Sequence, residues 1–130
     1  MSAATIHSPL LDIANLTAAD AAAIYRRDWW DRFGLARLPP ALGSKLLDAG
    51  VNIGMEEAVR SLQRALRAYG RPVAEDGALG AATLAAATTA APDALLAALR
   101  EALAGHYRLV AARNPSDQRF LPGWLARAYA

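Results

Sequence analysis

An all-α fold is what this chain predicts, on three observations. No segment alternates apolar and polar residues with strand period over five or more positions. Leucines recur at three- and four-residue spacing in several blocks, and Thr, Gly and Pro punctuate those blocks where helices start and stop. About five to six helices in one compact bundle account for the 130 residues.

Residues 1–15 show no clear period and contain His7, Ser8 and Pro9, so an irregular N-terminal arm is expected there. Helical residues 16–130 follow. Thr17 is a good N-cap, and Asp20 three positions on gives a capping-box arrangement. This helix should run to Asp31 or Arg32, with Ala21, Ile24, Tyr25 and Trp29 inward, Trp30 nearer the surface and Gly34 ending it. Leu38-Pro39-Pro40 opens a second helix running to about Asn52, with Leu42, Leu46, Leu47 and Val51 apolar and Gly54 closing it. A third spans Met55 to Tyr69, with Val59, Leu62, Leu66 and Tyr69 at helical spacing. Residues 71–80 form a loop holding Asp76-Gly77, and an alanine-rich helix covers about 81–90. Pro92 then opens the longest helix, to about Arg113, with Leu96, Leu99, Leu103, Tyr107 and Val110 inward. Asn114-Pro115 stops it, and Phe120 to Leu125 forms a last short helix.

Composition bounds the function. Of 14 basic residues only Lys45 is Lys, and the arginines are interleaved with acids, without a run of five like charges. A net charge of +2 with that interleaving gives little support to a nucleic-acid partner. The absence of cysteine removes disulfides and thiolate metal sites, and His7 and His106 are isolated, so neither a metal nor another cofactor is expected. No stretch approaches the ~20 apolar residues of a membrane span. The start lacks the basic and apolar regions of a Sec signal, so synthesis in the cytoplasm is expected, with any action outside the membrane depending on a lysis or secretion route.

Three blocks are distinctive. The first is Leu16-Thr17-x-x-Asp20-Ala21-x-x-Ile24-Tyr25-Arg26-x-x-Trp29-Trp30-Asp31. The second is Leu38-Pro39, then Asp48-Ala49-Gly50-Val51-Asn52-Ile53-Gly54, Ala58 and Leu62-Gln63-x-x-Leu66. The third is Asp76-Gly77-x-x-Gly80-x-x-Thr83, with Gly123-Trp124-Leu125-x-Arg127 closing the chain. In this order they resemble family 108 glycoside hydrolases, lysozyme-like muramidases of phage and prophage endolysins, and in particular their C-terminal predicted peptidoglycan domain. The likeness covers residues 16–130, and residues 58–90 also look like the helical repeat of common peptidoglycan-binding modules. It implies a lysozyme-like helical scaffold, action on the bacterial cell wall and peptidoglycan glycan strands as partner.

Members of that family carry a Glu-Gly-Gly-Tyr motif on an N-terminal helix, and its glutamate is the proposed catalytic acid. No Glu-Gly-Gly occurs here, and the first glutamate is Glu56. A fragment, a reading frame that begins late and a natural non-catalytic relative all fit that departure. The expectation is a peptidoglycan-engaging region inactive by itself. A missing N-terminal catalytic segment would be one partner, and self-association through an exposed apolar groove is the rival, as in a structural or protein-interaction module reusing the scaffold. Glycoside hydrolysis needs an acid that keeps its proton near neutral pH. Glu56 and Glu57 sit at a helix N-terminus, which favours the ionised form, and Glu75-Asp76 falls in a solvated loop.

Candidate site residues follow from polarity at helical spacing. Ser44, Asp48 and Asn52 share a helix face. Asp48 and Asn52 either face the glycan, with Asp48 a supporting carboxylate, or Asp48 pairs with a neighbouring Arg while Asn52 ends the helix. Tyr25, Trp30 and Trp124 are candidate sugar-stacking surfaces, with a role in the core as the alternative. Asp76 is a candidate for glycan contact, against the reading that turn chemistry accounts for it.

Overall fold

Thr17 begins the first helix in the computed structural model, which describes residues 17–130. The irregular arm expected over residues 1–15, with His7, lies outside the described residues. Helix α1 spans Ala18–Arg32. Its capping box is complete: Asp20 N–H donates to Thr17 Oγ1 at 3.0 Å, and Thr17 N–H donates to Asp20 Oδ2 at 3.2 Å. After a 3₁₀ turn over Leu35–Arg37 come α2 (Pro40–Ile53) and α3 (Met55–Ala68), separated only by Gly54. Helices α4 (Ala81–Thr89) and α5 (Pro92–Arg113), a 3₁₀ turn over Pro115–Phe120 and α6 (Leu121–Tyr129) complete the order. The described residues form no strand, and the fold is all-α as expected.

The bundle is organised around α3, which packs against α5 on one side and α2 on the other; α6 lies on α5. Val59, Leu62, Ala65 and Leu66 of α3 meet Leu95, Leu99 and Leu103 of α5 and Leu42, Leu46 and Leu47 of α2 in one cluster of buried side chains. Each buried leucine contributes roughly 2 kcal/mol through removal from water.

Periodicity located these faces but overstated burial at the rim. Helix α1 has no buried residue: Ile24 is 39% and Tyr25 50% exposed, Ala21 is exposed and Trp29 half-buried. It rests mainly on α2 and the first 3₁₀ turn, so most of its circumference faces solvent. Val51 and Tyr69 are likewise exposed; each lies in the last turn of its helix or just past it. On α5 the fully buried leading position is Leu95 instead of Leu96, which is half-buried together with Val110.

Trp29 and Trp30 are both half-buried, which corrects the expected contrast between them. Trp30 is the one seated against α2. A Cβ placed on Gly43 would lie 2.8 Å from the Trp30 ring and 3.0 Å from the carbonyl oxygen of Leu35, so glycine is what lets helix and indole approach this closely. The last helix runs to Tyr129 where a stop near Leu125 was expected. Leu121, Trp124, Leu125 and Ala128, all packed on the core at helical spacing, explain the extension.

The loop between α3 and α4 is held by one side chain. Gln63 is fully buried, and its Nε2 donates to Asp76 Oδ1 at 2.8 Å, to the Ala78 carbonyl at 3.1 Å and to Thr83 Oγ1 at 3.2 Å. Its Oε1 accepts from Gly77 N–H at 3.0 Å, and Asp76 Oδ1 also accepts from Ala78 N–H at 2.9 Å. Gly77 adopts the positive φ of 76° that this turn requires. The Gln, Asp-Gly and Thr positions of the sequence block are thus one hydrogen-bonded knot. Replacing Gln63 by Leu should destabilise the fold by about 1–3 kcal/mol, since it strands a backbone N–H and a hydroxyl in the interior. Urea denaturation of the variant against the parent measures the loss.

Candidate functional site

A polar face on α2, the middle of α5 and the start and end of α6 converge on one side of the bundle. Between them lies a groove in two parts. One part, a cavity of about 340 Å³, is lined by Asn52, Ile53, His106, Tyr107, Val110, Trp124 and Arg127. The other, about 290 Å³, is lined by Arg26, Lys45, Asp48, Val51, Asn52, Arg127 and Ala130. Asn52 and Arg127 line both.

That shared wall is a cross-link between residues far apart in sequence. Arg127 Nη1 donates to Asn52 Oδ1 at 2.9 Å, and Asn52 Nδ2 donates to the Asp48 carbonyl at 2.8 Å. Asn52 is therefore both a helix-end residue and a junction to α6. Lys45 Nζ donates to the Arg127 carbonyl at 2.9 Å and the Ala130 main-chain oxygen at 3.3 Å, tying α2 to the end of α6 a second time. Burial, with Arg100 nearby, lowers the Lys45 ammonium below its usual value, while Asp48 opposes the shift.

Asp48 forms an ion pair with Arg26, Nη1 to Oδ1 at 2.8 Å, and both side chains are about half exposed, at 53% and 46%. That joins α1 to α2, as one of the two sequence readings expected. The opposite end of the groove is aromatic: Trp124 stacks on Tyr107 at 5.5 Å and 28°, and on Phe120 at 5.9 Å and 29°. Such a surface offers an apolar face with polar groups at its edge, suited to the C–H face of a pyranose.

Of the substrate candidates, Asp48, Asn52 and Trp124 line the groove. Tyr25, Trp30 and Asp76 lie elsewhere. Tyr25 lies against Trp29, ring centroids 5.3 Å apart and tilted by 47°, on α1, and Trp30 is seated on Gly43. Asp76 belongs to the Gln63 knot, where the Ala78 N–H and the Gln63 amide hold its carboxyl below the usual carboxylate value. Lys45, His106 and Arg127, which were not substrate candidates, also line the groove, and Tyr107 lies inward beneath Trp124 as expected. Arg127 stood inside the closing Gly123-Trp124-Leu125-x-Arg127 block, and Lys45 shares the α2 face of Asp48 and Asn52 at helical spacing, so both signals were present.

The carboxylates in and beside the groove lie near cations. Asp48 faces Arg26; Glu57 Oε2 lies 3.0 Å from Arg64 Nη1, and Glu75 Oε1 lies 3.1 Å from Arg64 Nε. Glu57 Oε2 is nonetheless buried without a hydrogen-bond donor. No cluster of three His, Cys, Asp or Glu fit to hold a metal occurs among the described residues, and no described helix is long and apolar enough to cross a membrane.

His106 borders the aromatic end, with Nδ1 at 3.6 Å from Glu57 Oε2. Burial lowers its pKa from the usual 6.5; Glu57 pulls it up, and Arg64 pushes it down. The folded state thus favours neutral imidazole, a preference present in full above about pH 6.5 and lost as the pH falls. In an NMR pH titration the His106 ring should show a midpoint below 6.5. Glu57→Gln should move that midpoint lower still, because it removes the charge that raises it.

Comparison with known proteins bears on this geometry. Residues 57–129 match the family model described as Predicted Peptidoglycan domain, and residues 1–54 match Glycosyl hydrolase 108. The matched region thus begins upstream of residue 16, where the recognisable blocks start. No curated protein matches the chain. The structure of Brucella abortus SagA is similar at a TM-score of 0.65 and 29% identity, over 98% of this chain and 64% of that one. The chain therefore spans a little under two thirds of that structure's length.

Proposed function

The chain belongs to the Predicted Peptidoglycan domain family, and from that premise we propose that it is the peptidoglycan-engaging helical region of a muramidase-type cell-wall hydrolase of the phage and prophage endolysin kind. Glycan strands are its ligand, and it supplies binding where another segment supplies the chemistry. The observation that carries this reading is the groove: the half-buried Trp124 ring, backed by the buried Tyr107, lines one cavity with the hydrogen-bonding side chains Asn52 and Arg127. Sugars are held by that pairing of an apolar face with polar edges. Asp48, the carboxylate side chain that lines it among the described residues, is paired with Arg26, which suits it to fixing geometry. The bacterial cell wall is the place of action on this view.

Sedimentation with purified, insoluble sacculi tests the proposal. The parent chain should pellet with the sacculi, and Trp124→Ala should reduce the bound fraction several-fold with helical circular dichroism retained. Neither chain should lower sacculus turbidity beyond a boiled control. Failure of the folded parent to pellet, or lysis by it, would count against the proposal.

A second reading, a protein-interaction module, is favoured by one observation: α1 buries none of its residues and leaves Ile24 and Tyr25 exposed. Light scattering separates the two, with a mass of 13.7 kDa expected for the glycan-binding reading and a multiple of it for self-association.

A further inference from the structure

The two ends of the groove differ in charge, and that difference bears on which part of the cell-wall polymer it reads. At the end away from Trp124, the side chains of Arg26, Lys45 and Arg127 line the cavity with, among the described residues, one carboxylate side chain, Asp48. They arrive from three elements, α1, α2 and α6. Arg100 of α5 adds a fourth cation at its edge, with Nε donating to the Ala130 main-chain oxygen at 3.2 Å. Among the described residues, and even with a carboxylate at Ala130 counted, the four cations Arg26, Lys45, Arg100 and Arg127 exceed the two anions.

The hydrogen bonds do not quench that excess. Lys45 and Arg100 donate to main-chain oxygens, and Arg127 donates to the neutral amide of Asn52. Arg26 has Asp48, but both side chains are about half in water, where an ion pair is worth little and exchanges partners readily. Burial is the first cause of the lowered Lys45 pKa; Arg100 adds to it and Asp48 opposes it.

A neutral glycan would gain nothing from such a field. In peptidoglycan the fixed negative charge of the repeating unit lies on the carboxylates of the stem peptide, next to the sugar that bears it. Resting on the peptidoglycan reading above, we propose that the groove reads a peptide-bearing sugar, with the pyranose against Trp124 and stem-peptide carboxylates at Arg26, Lys45 and Arg127. Asn52, shared by both cavities, lies at the join.

Calorimetric titration of the full chain with three ligands tests this: a disaccharide muropeptide carrying its stem peptide, amidase-stripped glycan that keeps only the lactyl carboxylate, and neutral chitotetraose. The muropeptide should bind about tenfold more tightly than either of the others, the scale of one charge-assisted contact. Added salt should erase that margin, as should the double variant Arg26→Gln, Lys45→Gln, whose circular dichroism reports whether it is folded. If stripped glycan matches the muropeptide, the lactyl group is the anion read and the stem-peptide assignment falls. Equal binding of all three overturns the inference while leaving the glycan-binding function standing. Binding of none, by folded protein, removes that function as well.

Discussion

Burial of one face of α3 is the constraint on which the rest of the structure depends. Leu62 and Leu66 are completely buried, and so are Leu95 and Leu99 of α5 opposite them. Because α3 also packs against α2, a single helix fixes the separation of α2 from α5. Helix α6 then lies on α5, bringing Trp124 and Arg127 beside Lys45, Asp48 and Asn52 of α2. None of the groove residues holds this arrangement alone; their hydrogen bonds trim a geometry that leucine packing has already set.

The same helix also anchors the loop that follows it. Gln63 stands between Leu62 and Leu66 in sequence yet is as buried as they are. A buried amide is tolerable only when its donors and acceptor are satisfied, and here the Asp76-Gly77 turn and Thr83 satisfy them. Asp76 is thereby bound into the structure. Its depressed pKa reports hydrogen bonds made within the chain.

Helix identity and most of the leucine core were legible in the sequence because both depend on local chemistry. The Thr17 and Asp20 box, Pro40 and Pro92 in first turns, and Gly54 at the α2–α3 joint act within a few residues of where they stand. Burial of Ile24, Tyr25 and Val51 was not legible, since a period marks an apolar face without saying whether another helix covers it. The groove shows the same limit more sharply. Asp48, Asn52 and Trp124 could be picked from residue type and face, but their meeting depends on a contact between Asn52 and Arg127, 75 residues apart. Arg127 and Lys45 gave signals too. An arginine in an arginine-rich chain and one lysine on a helix gain significance only when α6 folds back onto α2.

Electrostatics bear on what a groove of this kind attracts. Asp48 has Arg26 at 2.8 Å, and Lys45 and Arg127 line the same cavity. Cations gathered from three elements favour an anionic ligand over a neutral one. The ion pair with Arg26 then has a structural use, because α1 buries no residue of its own and Asp48 is one of the few groups tying it to α2. A carboxylate in this setting holds a helix in place and lets a ligand's carboxylate compete for the arginine.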